Sequence, residues 1–234
     1  MLTHSFIGYS VKTHLGRRPF TNMEIHTLFK GYIYGDHKMP REQAKHWHFW
    51  LPLISYYTGT FSDEIGQLTL DNVTKQDGHY FFDFHTNNKI KPRRIPVHPM
   101  LIEHGFLDYL HFLKQQGQQR LMFDLPAKSG RYSEKVRIWF SGEGERAGYL
   151  QKCHIPNIDL DGRKAAISSF RLNFEAQIRI SSIQAGSKDA FNYLMGFKDY
   201  AHSEFENSKL LWQIIRGVRA LPGSISWQRF CDRH

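Results

Sequence analysis

Helical spacing of apolar residues appears first in "RPFTNMEIHTLF". Thr21 and Glu24 form a capping-box pair there, and Ile25, Leu28 and Phe29 follow at helical intervals. A second helix is expected from Pro40 to Tyr57, with Trp47, Trp50, Leu53, Ile54 and Tyr57 on one side and Pro52 bending it. Gly59 breaks that helix, and Ser62 is placed to cap a short one ending at Gln67. The period then becomes alternating. "DNVTKQDGHYFFDFH" reads as a strand, an Asp77-Gly78 turn and a second strand. "KPRRIPV" reads as a third, whose Pro92 and Pro96 suit a sheet edge.

From His98 the pattern is helical again, through Leu101, Ile102, Phe106, Leu110 and Leu113. A loop over Gly117 to Tyr132 precedes a helix from Ser133 to about Arg146, and Gly148 to Arg163 reads as irregular. "SSFRLNFEAQIRISSI", capped by Ser168 or Ser169, "SKDAFNYLM" and "HSEFENSKLLWQIIRGV" are helical. The result is an α+β chain, mainly helical, around one small three-stranded antiparallel sheet. It divides into an N-terminal segment (1–20), one domain (21–219) and a short basic, aromatic tail (220–234) hinged at Pro222-Gly223.

Composition narrows the function classes. With 41% hydrophobic and 15% aromatic residues in 234, the chain can bury a core. No apolar run of about 18 residues occurs, so no membrane partner is expected, and the N-terminus lacks the order of a signal peptide. Cys153 and Cys231 make no disulfide framework, which points to a reducing, cytoplasmic setting. Lys and Arg number 31 against 22 acids, a net charge of +9. A basic chain without membrane features points to nucleic acid, through neutralisation of phosphates.

Other chemistry finds little support. His46 and His48 lie about 200° apart on a helix and should not chelate together, and Cys153-His154 lacks the spacing of a zinc site. The 14 histidines are therefore expected to be scattered over the surface, with no metal and no cofactor. A nucleophile elbow and a phosphate-cradling P-loop are absent.

The stretch "YYTGTFSDEIGQL" looks like a frame built to hold something, yet Phe61 stands at its centre. Together with "HFWLPLISYYTGTFSDEIGQLTLDNV", "KPRRIPVHPMLIEHGFLDYL", "ISSFRLNFEAQI" and "YLMGFKDYAHSEF", it resembles the catalytic domain of tyrosine recombinases, the phage-integrase family. The resemblance runs from about Arg18 to Arg216.

That family attacks a DNA phosphodiester with a tyrosine, supported by two arginines, a hairpin lysine and two histidines, one replaceable by tryptophan. The resemblance implies that most of this set is missing here. Phe61 stands for the first arginine, while the acidic residue three further on is kept as Glu64. Asn88 falls at the lysine position, with Lys89 adjacent as a possible substitute. Ser168 replaces a histidine, Arg171 is retained, and Leu172 follows it where a histidine is usual. Phe197 takes another histidine's place, and Phe205 stands where the tyrosine is expected. Phe61, Glu64, Arg171 and Phe197 should then converge on one concavity.

The resemblance implies DNA as partner, through Lys89, Lys91, Arg93, Arg94, Arg163, Lys164 and Arg171, without strand cleavage, in a regulatory or architectural role around a mobile element. The rivals are a divergent active recombinase using Tyr200 or Tyr193, and a protein-interaction module that kept only the fold. The family's usual N-terminal DNA-gripping domain has no counterpart in residues 1–20, so the chain is either a fragment or lacks the clamp. The tail, with Ile225, Trp227 and Phe230, is expected to dock on a second copy or a related recombinase, the alternatives being that it folds back on its own domain or is disordered.

Overall fold

The computed structural model describes residues 16–35, 43–85, 91–197 and 207–234. Asn88, Lys89, Tyr200 and Phe205 lie outside the described residues. Helix α1 (Asn22–Leu28) starts at the expected capping box: Glu24 N–H donates to Thr21 Oγ1 and Thr21 N–H to the Glu24 carboxylate. Arg18 holds that carboxylate from the other side at 2.6 and 2.7 Å.

Helix α2 (His46–Thr58) is the centre of the molecule. Every residue from Trp47 to Thr58 is buried, so its apolar residues are not confined to one side. A helix covered all round needs no polar face. It tolerates Pro52 inside, and it begins at His46 rather than near Pro40, with residues 43–45 non-helical. Its cap comes from far along the chain: the Asp124 carboxylate accepts the N–H groups of His46 (2.7 Å) and Trp47 (3.2 Å). Gly59 ends α2 at φ +63°, and a Cβ there would lie 2.4 Å from the Phe174 ring.

Helix α3 (Ser62–Gln67) follows, but its cap residue is Phe61, not Ser62. A phenyl ring cannot accept a hydrogen bond, so only half a capping box forms, with Phe61 N–H donating to Glu64 Oε2 at 2.9 Å. Strands β1 (Val73–Gln76), β2 (His79–Phe84) and β3 (Arg93–Pro96) make an antiparallel sheet in the order β1-β2-β3. Asp77 and Gly78 turn between the first two with φ of +50° and +80°, both positive as a two-residue hairpin requires. The proline-bearing strand lies at an edge, with Pro96 opposite Phe81 and Arg93 opposite Phe84.

The helix expected from His98 is two: α4 (Pro99–Glu103) and α5 (Phe106–Gln115). Gly105 separates them at φ +96°, a left-handed conformation that interrupts the helix. Helix α6 (Ser133–Ser141) stops short of Arg146, because Glu143 and Arg146 pair across a tight turn. A short α7 (Tyr149–Lys152) stands in the stretch read as irregular, anchored by Tyr149 Oη donating to Leu28 O at 2.6 Å. Then come α8 (Ser169–Gln184), α9 (Lys188–Met195), α10 (Ser208–Ile215) and α11 (Trp227–Arg233). Helix α8 packs on α2, and α9 and α10 bridge α8 to β3.

Two expectations are overturned. The tail does not present Trp227 and Phe230 for docking elsewhere; α11 folds back on its own domain and buries both, with Ile225. The reason for a docking role, an uncovered apolar chain end, is therefore gone. The histidines are not all superficial either, since His48, His98 and His104 are buried. No helix among the described residues is long and apolar enough to cross a membrane.

Candidate functional site

Four segments distant in sequence meet beside the α2–α3 corner. Glu64, in the first turn of α3, turns one carboxylate oxygen back to Phe61 N–H and the other to Arg93 Nη1 at 2.7 Å. This ion pair is sealed, with side chains 0% and 2% exposed. Arg93 Nε donates to Leu194 O at 3.0 Å, and the guanidinium lies 5.4 Å over the Phe84 ring. Arg93 Nη2 is buried without a hydrogen-bond partner.

Arg171 enters from the first turn of α8. Nη1 donates to Gly59 O at 2.9 Å and Nη2 to Met195 O at 2.6 Å, while the guanidinium sits 5.0 Å over the Phe61 ring. It thus ties the end of α2 to the end of α9. The left-handed Gly59 is what aims its carbonyl there. Burial, then the neighbouring Arg93 cation, lowers the Arg171 pKa to about 10; Glu64 and Glu175 oppose that shift. Arg171 stays charged at neutral pH. It is not the partner of Glu64 or Glu175: Arg93 takes the first and Arg179 the second.

Phe61, Glu64 and Arg171 are in one junction, and Phe197 lies two residues past the Met195 carbonyl that Arg171 holds. Phe197 is 40% exposed and packs edge-on against Phe191, at 6.0 Å between ring centres. Ser168 is the N-cap position of α8 but makes no side-chain cap bond, and its Oγ is buried without a partner. Leu172 is half-buried on the same helix.

The basic residues divide into different environments. Arg93 does not face solvent, which corrects its reading as a phosphate contact. Parity along β3 marks this: Arg93 shares a strand face with the buried Ile95, and Arg94 takes the other. Arg94 Nε donates to Asp83 at 2.7 Å and Nη1 to Gln76 at 2.6 Å, at the half-exposed edge of the sheet. Lys91 is half-buried, its N–H donating to Gly196 O at 3.3 Å, so it stands beside the junction. Arg163 and Lys164 belong to a separate turn before α8, where Lys164 bridges Arg17 and Ile158, and Arg163 is exposed near Asp161.

The junction has cations, a buried carboxylate and aromatic faces. Both terminal nitrogens of Arg171 spend bonds on main-chain carbonyls. Its chemistry is that of a clamp between elements with a partly uncovered aromatic edge.

No family model matches the chain, and no curated protein matches it. Among solved structures it is similar to the XerH site-specific recombinase bound to difH substrate, a pre-cleavage complex, with a TM-score of 0.45 and 15% sequence identity. The match covers 87% of this chain and 51% of that one, so this chain spans about half the length of that protein.

Proposed function

We propose that this chain is a DNA-binding domain of the tyrosine-recombinase type in which the phosphate-cleaving centre has become a structural junction. The observation that carries this reading is Arg171, bonded to Gly59 O and Met195 O and covered by Phe61. Phosphodiester attack needs donors aimed at the non-bridging oxygens, and loss of one such donor typically costs about 10²–10³ in rate. Here the retained arginine is engaged with carbonyls, and the neighbouring position is a ring that cannot donate.

Tyr193 is a poor substitute nucleophile. Its Oη accepts the Arg94 N–H at 2.9 Å, and burial raises its pKa, the opposite of what an attacking phenolate needs. What remains is backbone binding by Lys89, Lys91, Arg94, Arg163 and Lys164, with Arg171 withdrawn into the junction, in a regulatory or architectural role around a mobile element.

Two measurements test the reading. Nicked half-site duplexes should give no covalent complex on denaturing electrophoresis; an adduct abolished by Tyr200→Phe or Tyr193→Phe would make the chain an active recombinase. Duplex binding should weaken steeply with salt, and Lys91→Glu and Arg163→Glu should each lower the log–log slope by about 0.9. Absent or salt-insensitive binding would favour a protein-interaction module instead.

A further inference from the structure

Three half-buried or buried imidazoles sit under the C-terminal segment, and each makes one polar contact to it. His98 Nε2 donates to Val218 O at 3.2 Å, His104 Nδ1 donates to Ile225 O at 3.0 Å, and His46 Nδ1 accepts Trp227 Nε1–H at 3.3 Å. Trp227 N–H closes the seam on His104 O at 2.9 Å. The His46 ring lies within 6.0 Å, centre to centre, of Tyr109, Phe112, Phe123, Trp227 and Phe230.

The bonds fix the protonation states. A carbonyl only accepts, so His98 carries its proton on Nε2, and its Nδ1 accepts Met100 N–H at the start of α4. His46 Nδ1 accepts from the indole and is therefore bare. His104 carries its proton on Nδ1, leaving Nε2 buried without a partner. A second proton on His46 would set N–H against the Trp227 indole N–H. On His104 it would bury a cation whose Nε2 has no acceptor, although the bond to Ile225 O would stay. On His98 it would oppose Met100 N–H within α4 and leave the Val218 bond in place. The costs at His46 and His104 fall on the closed seam and vanish for a ring in water.

We propose that His46 and His104 form a proton-sensitive latch, which holds segment 224–234 on the domain when neutral and releases it when protonated. The proposal stands apart from the reading of the arginine junction. Gly223, exposed with open space around it, gives the segment a place to swing from.

The surrounding charges favour the neutral state on balance. Burial lowers His98 and His104 to about 4, against the bonds they make to the Val218 and Ile225 carbonyls, which pull the other way; His104 and Arg216 add to the lowering of His98. Burial also lowers His46, against an opposing pull from Asp124, whose carboxylate caps α2. Tyr57 stacks on His98 and stays protonated, its pKa raised by burial, with Glu103 nearby. Cys231 on α11 remains a thiol, pushed up to about 11 by burial.

Hydrogen exchange on the full chain at pH 7.5 and 5.5, corrected for intrinsic rates, tests the latch. Protection of amides in 224–234 should fall about tenfold through His104 and further through His46, while α2 and the sheet stay better protected than the tail at both pH values. His104→Gln should remove about tenfold of that pH dependence, and His46→Gln should reduce it. Unchanged protection in 224–234, or protection there equal to that of α2 at both pH values, overturns the proposal. The wild-type comparison alone decides the matter if a variant fails to fold.

Discussion

The arginine junction and the histidine seam solve the same problem with opposite chemistry. Each ties remote segments together through buried polar side chains: Arg93 and Arg171 join α2, α3, β3 and α9, and His46, His98 and His104 join α2 and α4 with its flank to the chain end. Guanidinium groups keep their charge across the working range, so the junction needs a permanent counter-charge and acceptors. Imidazoles can be neutral, so the seam needs no counter-charge but depends on pH. The first is a fixed clamp and the second is conditional.

The sharpest way to break the comparison is to delete one side of it. Ending the chain at Leu221 removes Ile225, Trp227 and Phe230 from the core. At about 2 kcal/mol for each large apolar side chain, the loss is about 6 kcal/mol, read as a fall in Tm or in the urea midpoint. An unchanged midpoint would mean that the seam contributes nothing to stability.

Next in size is the junction. Glu64→Ala leaves the Arg93 charge buried and unpaired and frees Phe61 N–H, which should cost about 4 kcal/mol in urea unfolding. Replacing both partners by apolar residues, as in Glu64→Leu with Arg93→Met, should recover part of that loss. Equal stability of the single and double variants would show that the pair is not coupled.

The smallest effect separates the two regions by pH. Burial lowers His48 to about 3 and His98 and His104 to about 4, against about 6.5 for an unfolded imidazole. The unfolded chain therefore binds more protons below about pH 6.5. Stability is present above that value and is lost as pH falls toward 4. Between pH 7.5 and 6.0 the three should together cost about 2 kcal/mol. Glu64→Ala should lose the same further amount over that range, since it leaves the three rings buried. A flat stability curve would contradict the buried neutral rings.

Local signals were legible where the chain speaks to its near neighbours. The Thr21–Glu24 box, the Asp77-Gly78 hairpin and the proline-bearing edge strand follow from residues within a few positions. Two of the failures share one cause, a partner from far along the chain. Asp124 rather than a local residue starts α2, and a groove including His46 and His104 covers the tail. Gly105 had a local meaning, a left-handed break, that helical spacing on both sides concealed.

The candidate site was legible in its membership and not in its bonding. Phe61, Glu64 and Arg171 meet in one junction, whereas Phe197 lies two residues past the Met195 carbonyl and packs on Phe191; which arginine pairs with Glu64 depends on strand parity at Arg93 and Ile95. Asn88, Lys89 and Phe205 are outside the described residues, so the hairpin tip and the nucleophile position bear on the proposal through sequence alone.

The cap that Asp124 places on α2 also sets an order of assembly. During synthesis α2 leaves the ribosome 78 residues before the carboxylate that closes its first turn. Until then the helix has no local acceptor for those amides and no covering for an apolar surface that runs all the way round it. A 13-residue helix is marginal on its own in water. The nascent chain therefore carries this apolar segment uncapped until Asp124 has emerged, so aggregation during expression is expected to begin at α2.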